Sequence, residues 1–183
     1  PLLLARRSAR PEIAVEHRVE SVSDAEIRAM LRFADRLDVS AVATNPVRYL
    51  EPADAFVAGY GTGGTLTGVG EVLKVARPET KIIATEPAGA SLLKGDEWKP
   101  HKIQGWTPDF LPKVLNRSVP HEIVPVTDEE SIAASRSLAS REGIFCGISA
   151  GGACAVALRI AHEVEQAVIV FIVCDRGDRY LST

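Results

Sequence analysis

The sequence predicts an α/β fold, a parallel sheet flanked by helices, and three observations carry that expectation. The first is the order of patterns after residue 54. A short apolar run at residues 55–58 leads into Gly59, Gly61, Gly63 and Gly64. Leu66, Val69, Val72, Leu73 and Ala76 then share one helical face, Pro78 ends the helix, and residues 81–85 form a second apolar run. Strand, glycine turn, helix and strand in that order make one βαβ unit. The second observation is a repeat of this logic. Residues 123–126 read as a short strand, followed by Thr127 and, three positions on, Glu130, the two halves of a capping box. The helix runs to about Arg141 and stops at Gly143. The third is the run at residues 168–173, apolar on both faces and therefore expected in the centre of the sheet.

The remaining elements follow in chain order. Residues 1–16 have no clean periodicity. Ile27, Met30, Leu31 and Ala34 fall at helical spacing within residues 24–37, with Ser23 and Glu26 as another capping box. Residues 38–53 read as a connection, broken by Asn45-Pro46 and Glu51-Pro52. Residues 87–120 concentrate proline and glycine, and so long an irregular stretch is often functional. A brief strand is expected at residues 144–146, a second glycine turn at 147–152, and a helix at about 152–165. Residues 17–39 and 121–143 align without a gap, His17 on His121 and Ser23 on Thr127, which fits either a duplication or two copies of a common pattern. The domain reading is an N-terminal segment of open assignment at 1–50 and one domain at 51–183.

Composition narrows the function classes. A chain of 183 residues, 46% hydrophobic and 25% charged, suits one ordinary globular domain. A net charge of −3 gives no basic field for nucleic acid. No apolar run reaches the ~20 residues of a membrane helix. Cys146, Cys154 and Cys174 form no CxxC pair, and His17, His101, His121 and His162 do not cluster at ligand spacing, so no metal is expected. A reducing, cytoplasmic setting is the expectation. The chain opens at Pro1 rather than methionine, so it is read as an incomplete translation product. Arg6, Arg7 and Arg10 are read as a surface stretch in preference to a transit segment.

The chemical signal is the first glycine turn. Gly61-Thr62-Gly63-Gly64-Thr65, between a strand end and a helix start, lets several backbone N–H groups face one point. The helix N-terminus adds about half a positive charge there. Thr62 and Thr65 add hydroxyl donors, which suits a phosphate monoester. Two other readings stand beside it: a tight turn with nothing bound, and a dinucleotide fingerprint. For the latter, Gly59, Gly61 and Gly64 match G-x-G-x-x-G, and Glu86 lies 22 residues beyond Gly64 as the ribose acid. The threonines weigh against the dinucleotide. Ser149, in the second turn, is either a hydrogen-bonding group for a ring nitrogen or an N-cap for the helix after it. Asp175-Arg176-Gly177-Asp178-Arg179-Tyr180 follows the last strand, where α/β sheets place ligands, and also suits a salt-bridged tail.

Together these segments resemble the cysteine synthases, the O-acetylserine sulfhydrylases. DAFVAGYGTGGTLTGVG at 54–70 is similar to their phosphate-loop segment, and KIIATEP at 81–87 to the strand after it. PHKIQGWTPDFLP at 100–112 resembles their HKIQG segment, residues 126–152 their capped helix and G-I-S-x-G turn, and DRGDRYLST at 175–183 their ending. The likeness covers about residues 53–183. It implies the large domain of a fold type II pyridoxal-phosphate (PLP) enzyme, incomplete here. The resemblance implies that Gly61, Thr62, Gly63, Gly64 and Thr65 hold the PLP phosphate and that Ser149 meets the pyridine nitrogen. Gly105 would line the substrate side and Asp175 would lie near the ring. The implied reaction is β-replacement, with O-acetylserine and sulfide giving cysteine and acetate, in a homodimer or in a pairing with an intact relative. The family's Schiff-base lysine in its S-x-K-D-R setting has no match among Lys74, Lys81, Lys94, Lys99, Lys102 and Lys113. Covalent attachment of PLP is therefore not expected. The chain is read as a truncated chain, a non-catalytic pseudoenzyme or a misjoined reading frame, and on its own as inactive. Residues 17–39 look slightly more like a serine/threonine dehydratase.

Overall fold

Alternate residues of Ala55–Gly59 face opposite ways, and both faces are buried. That pattern marks the interior of a sheet covered on both sides. In the computed structural model this strand, β3, pairs in parallel with Lys81–Pro87 (β4) on one side and Val168–Ile172 (β6) on the other. Glu122–Val126 (β5) extends the parallel set beyond β4. Leu2–Arg7 (β1) joins the other flank of β6 antiparallel, and Pro11–Glu12 (β2) pairs with β1, giving the order β2-β1-β6-β3-β4-β5. The structure describes residues 53–165 and 167–180, together with the backbones of β1 and β2. The expected helix at 24–37, the connection at 38–53 and the first copy of the 17–39 echo lie outside the described residues, apart from residue 53.

Among the described residues, three α-helices cover the sheet. Gly64–Ala76 (α1) follows the first glycine turn and presents Leu66 to one face of the sheet, with Phe56, Ala58, Ile82, Ala84, Val168 and Val170. Asp128–Glu142 (α2) and Ile148–Ala161 (α3) pack together, and α3 covers the opposite face, with Val57, Ile83, Ile169 and Phe171. Val57, Ile82 and Ile83 are fully buried, each contributing about 1.5–3 kcal/mol of hydrophobic stabilisation. Asp54 ties β3 to β6: its N–H donates to the Val168 carbonyl at 2.8 Å and its Oδ2 accepts from the Val168 N–H at 2.6 Å.

The capping box at Thr127 and Glu130 is present, with Gly143 as the left-handed stop of α2. Two expectations change. Residues 144–146 form no strand; Cys146 makes one isolated bridge to Arg176. The helix expected from about 152 starts at Ile148, so Gly151 and Gly152 belong to its first turns. They read as turn glycines, but they serve close approach. A Cβ on Gly151 would sit 2.1 Å from the Ser131 carbonyl oxygen of α2.

Candidate functional site

The carboxyl ends of β3 and β6 open onto the same side of the sheet, and the two glycine-rich turns meet there. In the first turn, Gly63 is left-handed, with φ of 86°, and caps α1 without any side-chain hydrogen bond. The first N–H groups of α1 are therefore not satisfied by a cap and face the turn. A Cβ on Gly61 would lie 2.3 Å from the Gly105 carbonyl oxygen, and one on Gly63 would lie 2.6 Å from Leu115 Cβ. Both positions exclude side chains. Gly105 is itself left-handed, with φ of 82°.

A cavity of ≈ 190 Å³ lies between these segments. Its walls include Gly61, Thr62, Gly63, Gly64 and Thr65 from the first turn, Gly105 from the long loop, Ser149 from α3 and Asp175 after β6. All eight sequence-derived site positions thus share one space. Ser149 is the second residue of α3 and largely buried, and the helix is capped by Gly147. The N-cap reading of Ser149 is therefore corrected: its hydroxyl belongs to the first helical turn. The tail also divides. Asp175 lines the cavity, whereas Arg176 and Asp178 pair at 3.3 Å on the exposed side. Asp175 Oδ2 accepts a short hydrogen bond from the Tyr180 hydroxyl, and Oδ1 is buried without a partner among the described residues. That hydrogen bond, followed by burial, pushes the Tyr180 phenol up to about 12.

Glu86 is fully buried and does not line the cavity. Its Oε2 accepts from the Tyr60 hydroxyl at 2.9 Å and from the Leu93 N–H at 3.1 Å. Burial raises its pKa above the usual carboxylate range. A carboxyl so enclosed is not placed to meet a ribose in this cavity, which removes the acid on which the dinucleotide fingerprint depends. Among the described residues, no group of three His, Cys, Asp or Glu side chains could hold a metal ion, and no helix is long and apolar enough to cross a membrane. No lysine lines the cavity; Lys74 donates to the Ser118 carbonyl and Lys81 pairs with Glu122 at 2.5 Å.

Sequence reasoning missed Trp106, Tyr60 and Cys174, which also line the cavity. For Trp106 a signal existed: a glycine at position 59, inside the strand rather than in the turn, implies something large pressed against it.

Comparison with known proteins supplies the family. Residues 39–175 match the model of the pyridoxal-phosphate dependent enzymes. The chain is 52% identical over 131 residues to the O-ureido-L-serine synthase of Streptomyces lavendulae, covering 71% of this chain and 40% of that protein. It is 43% identical over 134 residues to a probable cysteine synthase of Bacillus subtilis, covering 73% and 43%. A crystal structure of O-ureido-L-serine synthase superposes with a TM-score of 0.71 at 48% identity, over 73% of this chain and 42% of that one. The cysteine synthase of Entamoeba histolytica superposes with a TM-score of 0.68 at 30% identity, over 85% and 43%. The chain thus spans about two fifths of the length of the curated relatives it matches. On the family model and these relatives together, the chain belongs to the pyridoxal-phosphate dependent enzymes and is a homologue of the cysteine synthases and O-ureido-L-serine synthases.

Proposed function

We propose that this chain is the phosphate- and ring-holding portion of a PLP enzyme of β-replacement, acting on an activated serine. The observation that carries the reading is the meeting of the two glycine turns around one cavity, with Ser149 opposite the uncapped start of α1. The cradle suits PLP. Without a Cβ, Gly61 and Gly63 let the turn pack directly on the Gly105 carbonyl and Leu115, and a turn held so closely would keep its backbone N–H groups ready for phosphate oxygens. Thr62 and Thr65 would add hydroxyl donors. Ser149, a neutral group, would hydrogen-bond the ring nitrogen without fixing a positive charge on it. When bound, PLP supplies an electron sink for the pair released at the amino acid's α-carbon. With the ring kept neutral by Ser149, that sink is moderate and favours loss of a β-substituent over deeper carbanion chemistry. Gly105 would border the substrate, and Asp175, held by Tyr180, would set the polarity beside the ring.

The substrate pair is O-acetylserine and sulfide, giving cysteine and acetate, in keeping with the cysteine synthases among the relatives. The 52% identity to an O-ureido-L-serine synthase, against 43% and 44% to cysteine synthases, favours a second reading of the same reaction class with a different nucleophile. The absence of lysine from the cavity wall favours a non-catalytic role for the 183 residues taken alone, paired with an intact relative.

The test is titration of the chain with PLP, beside a Thr62→Ala/Thr65→Ala double variant. PLP is expected to bind the unaltered chain and to bind the variant at least tenfold more weakly. Equal binding, or none to either, overturns the reading. No cysteine synthesis is expected from the chain by itself.

A further inference from the structure

Trp106 reaches from one glycine turn to the other. A Cβ on Gly59, at the end of β3, would fall 1.9 to 2.4 Å from indole atoms Cε2, Cζ2 and Nε1. A Cβ on Gly152, in the second turn of α3, would fall 2.9 and 3.0 Å from Cη2 and Cζ3. Adjoining stretches of one ring system, Nε1–Cε2–Cζ2 and Cη2–Cζ3, therefore rest on the strand that carries the first turn and on the helix that carries Ser149. The indole is largely buried yet lines the cavity. Its backbone is pinned on both sides. Gly105 and Thr107 have φ of 82° and 36°. The Thr107 N–H donates to the Tyr60 carbonyl at 2.7 Å, and the Thr107 carbonyl accepts from Trp98 Nε1 at 2.8 Å, with His101 Nε2 at 3.2 Å. A bulky residue held this tightly between two positions that exclude side chains acts as a spacer.

We propose that Trp106 is a positioning residue that sets the gap between the phosphate turn and Ser149, and so selects a ligand that is both phosphorylated and aromatic. This rests on the proposed PLP reading. Phosphate alone needs only the first turn, whereas a ring joined to a phosphate needs both turns at the right separation. The two affinities therefore respond differently when the spacer is shortened.

The experiment measures Kd for inorganic phosphate and for PLP on the full chain and on Trp106→Leu and Trp106→Phe. PLP affinity is expected to fall tenfold or more in Trp106→Leu and less in Trp106→Phe, while phosphate affinity stays within twofold. Equal losses for both ligands, or no loss for PLP, overturn the spacer and leave the PLP reading intact. Failure of the unaltered chain to bind either ligand overturns the PLP reading and the spacer with it. Trp98→Phe leaves Trp106 as the sole tryptophan of the two in the chain, and covers the case in which the Trp106 variants do not fold. In Trp98→Phe, PLP is expected to quench the indole emission and phosphate to leave it unchanged; unquenched emission with PLP bound overturns the spacer.

Discussion

Tyr60→Phe removes one oxygen from a fully enclosed polar contact, and its cost should depend on pH. The Tyr60 hydroxyl donates to Glu86 Oε2 at 2.9 Å, both residues are almost fully buried, and Oε1 has no partner among the described residues. Burial, and then the charge of Glu86, raises the Tyr60 pKa, so the phenol stays a donor throughout the working range. Glu86 is raised from 4.5 by burial and lowered by its bonds to Leu93 and Tyr60. Its folded pKa thus lies above its unfolded one. Its contribution is complete below about pH 4.5 and is lost as pH rises through the folded value. A bond to the neutral acid is worth about 1 kcal/mol, and a bond to the ionised form about 1.5–3 kcal/mol. Removing the hydroxyl also pushes the Glu86 pKa higher, which carries the pH-dependent loss further up the scale. Tyr60→Phe should therefore cost about 1 kcal/mol near pH 4 and more as pH rises through the folded Glu86 value, towards about 1.5–3 kcal/mol once the carboxyl is ionised. Urea unfolding followed by far-UV circular dichroism at several pH values measures the difference directly. A penalty that stays flat, or shrinks as pH rises, would refute the buried, raised carboxyl.

Glu130→Ala breaks half of the capping box, in which Glu130 Oε2 accepts from the Thr127 N–H at 2.8 Å. The Thr127 backbone bond lowers the Glu130 pKa, so its stabilisation is present above the unfolded pKa and fades as pH falls through the folded value. A loss of about 1 kcal/mol at pH 7 that narrows below pH 4 is expected from thermal melts. Thiol labelling at pH 8 should separate the cysteines. Cys174 is exposed and lines the cavity, whereas Cys154 is buried and its thiol is pushed up to about 12 by that burial. Mass spectrometry should find Cys174 modified first, more slowly with PLP present, and Cys154 modified only on unfolding.

The parallel strands were legible because each is a short apolar run followed by a helix signal, and the glycine turn because its residues pack so poorly for any other purpose. Three features were less legible, each for a physical reason. The LLLARR segment of β1 shows no alternation, and its place beside β6 depends on a strand more than 160 residues away. Gly151 and Gly152 look like a turn because glycine weakens helices. Here the loss is offset by the approach of α2, whose Ser131 carbonyl leaves no space for a Cβ. Glu86 fitted the spacing of a ribose acid, yet the aromatic that buries it, Tyr60, precedes it by 26 residues and makes no local pattern. Trp106 was missed although Gly59 carried its signal, because the tryptophan that presses on that glycine lies far along the chain in an irregular loop and makes no local pattern with it.

The last strand among the described residues lies inside the sheet. β6 holds β1 on one side and β3 on the other, and Asp175 follows it directly. During synthesis, β3, β4 and β5 can pair as they emerge, but β3 lacks its β6 partner until residues 168–172 arrive. Contacts this distant in sequence form slowly, and an unpaired apolar edge invites wrong partners. Asp175, which follows β6 directly, can reach its place in the cavity wall only when that strand has docked.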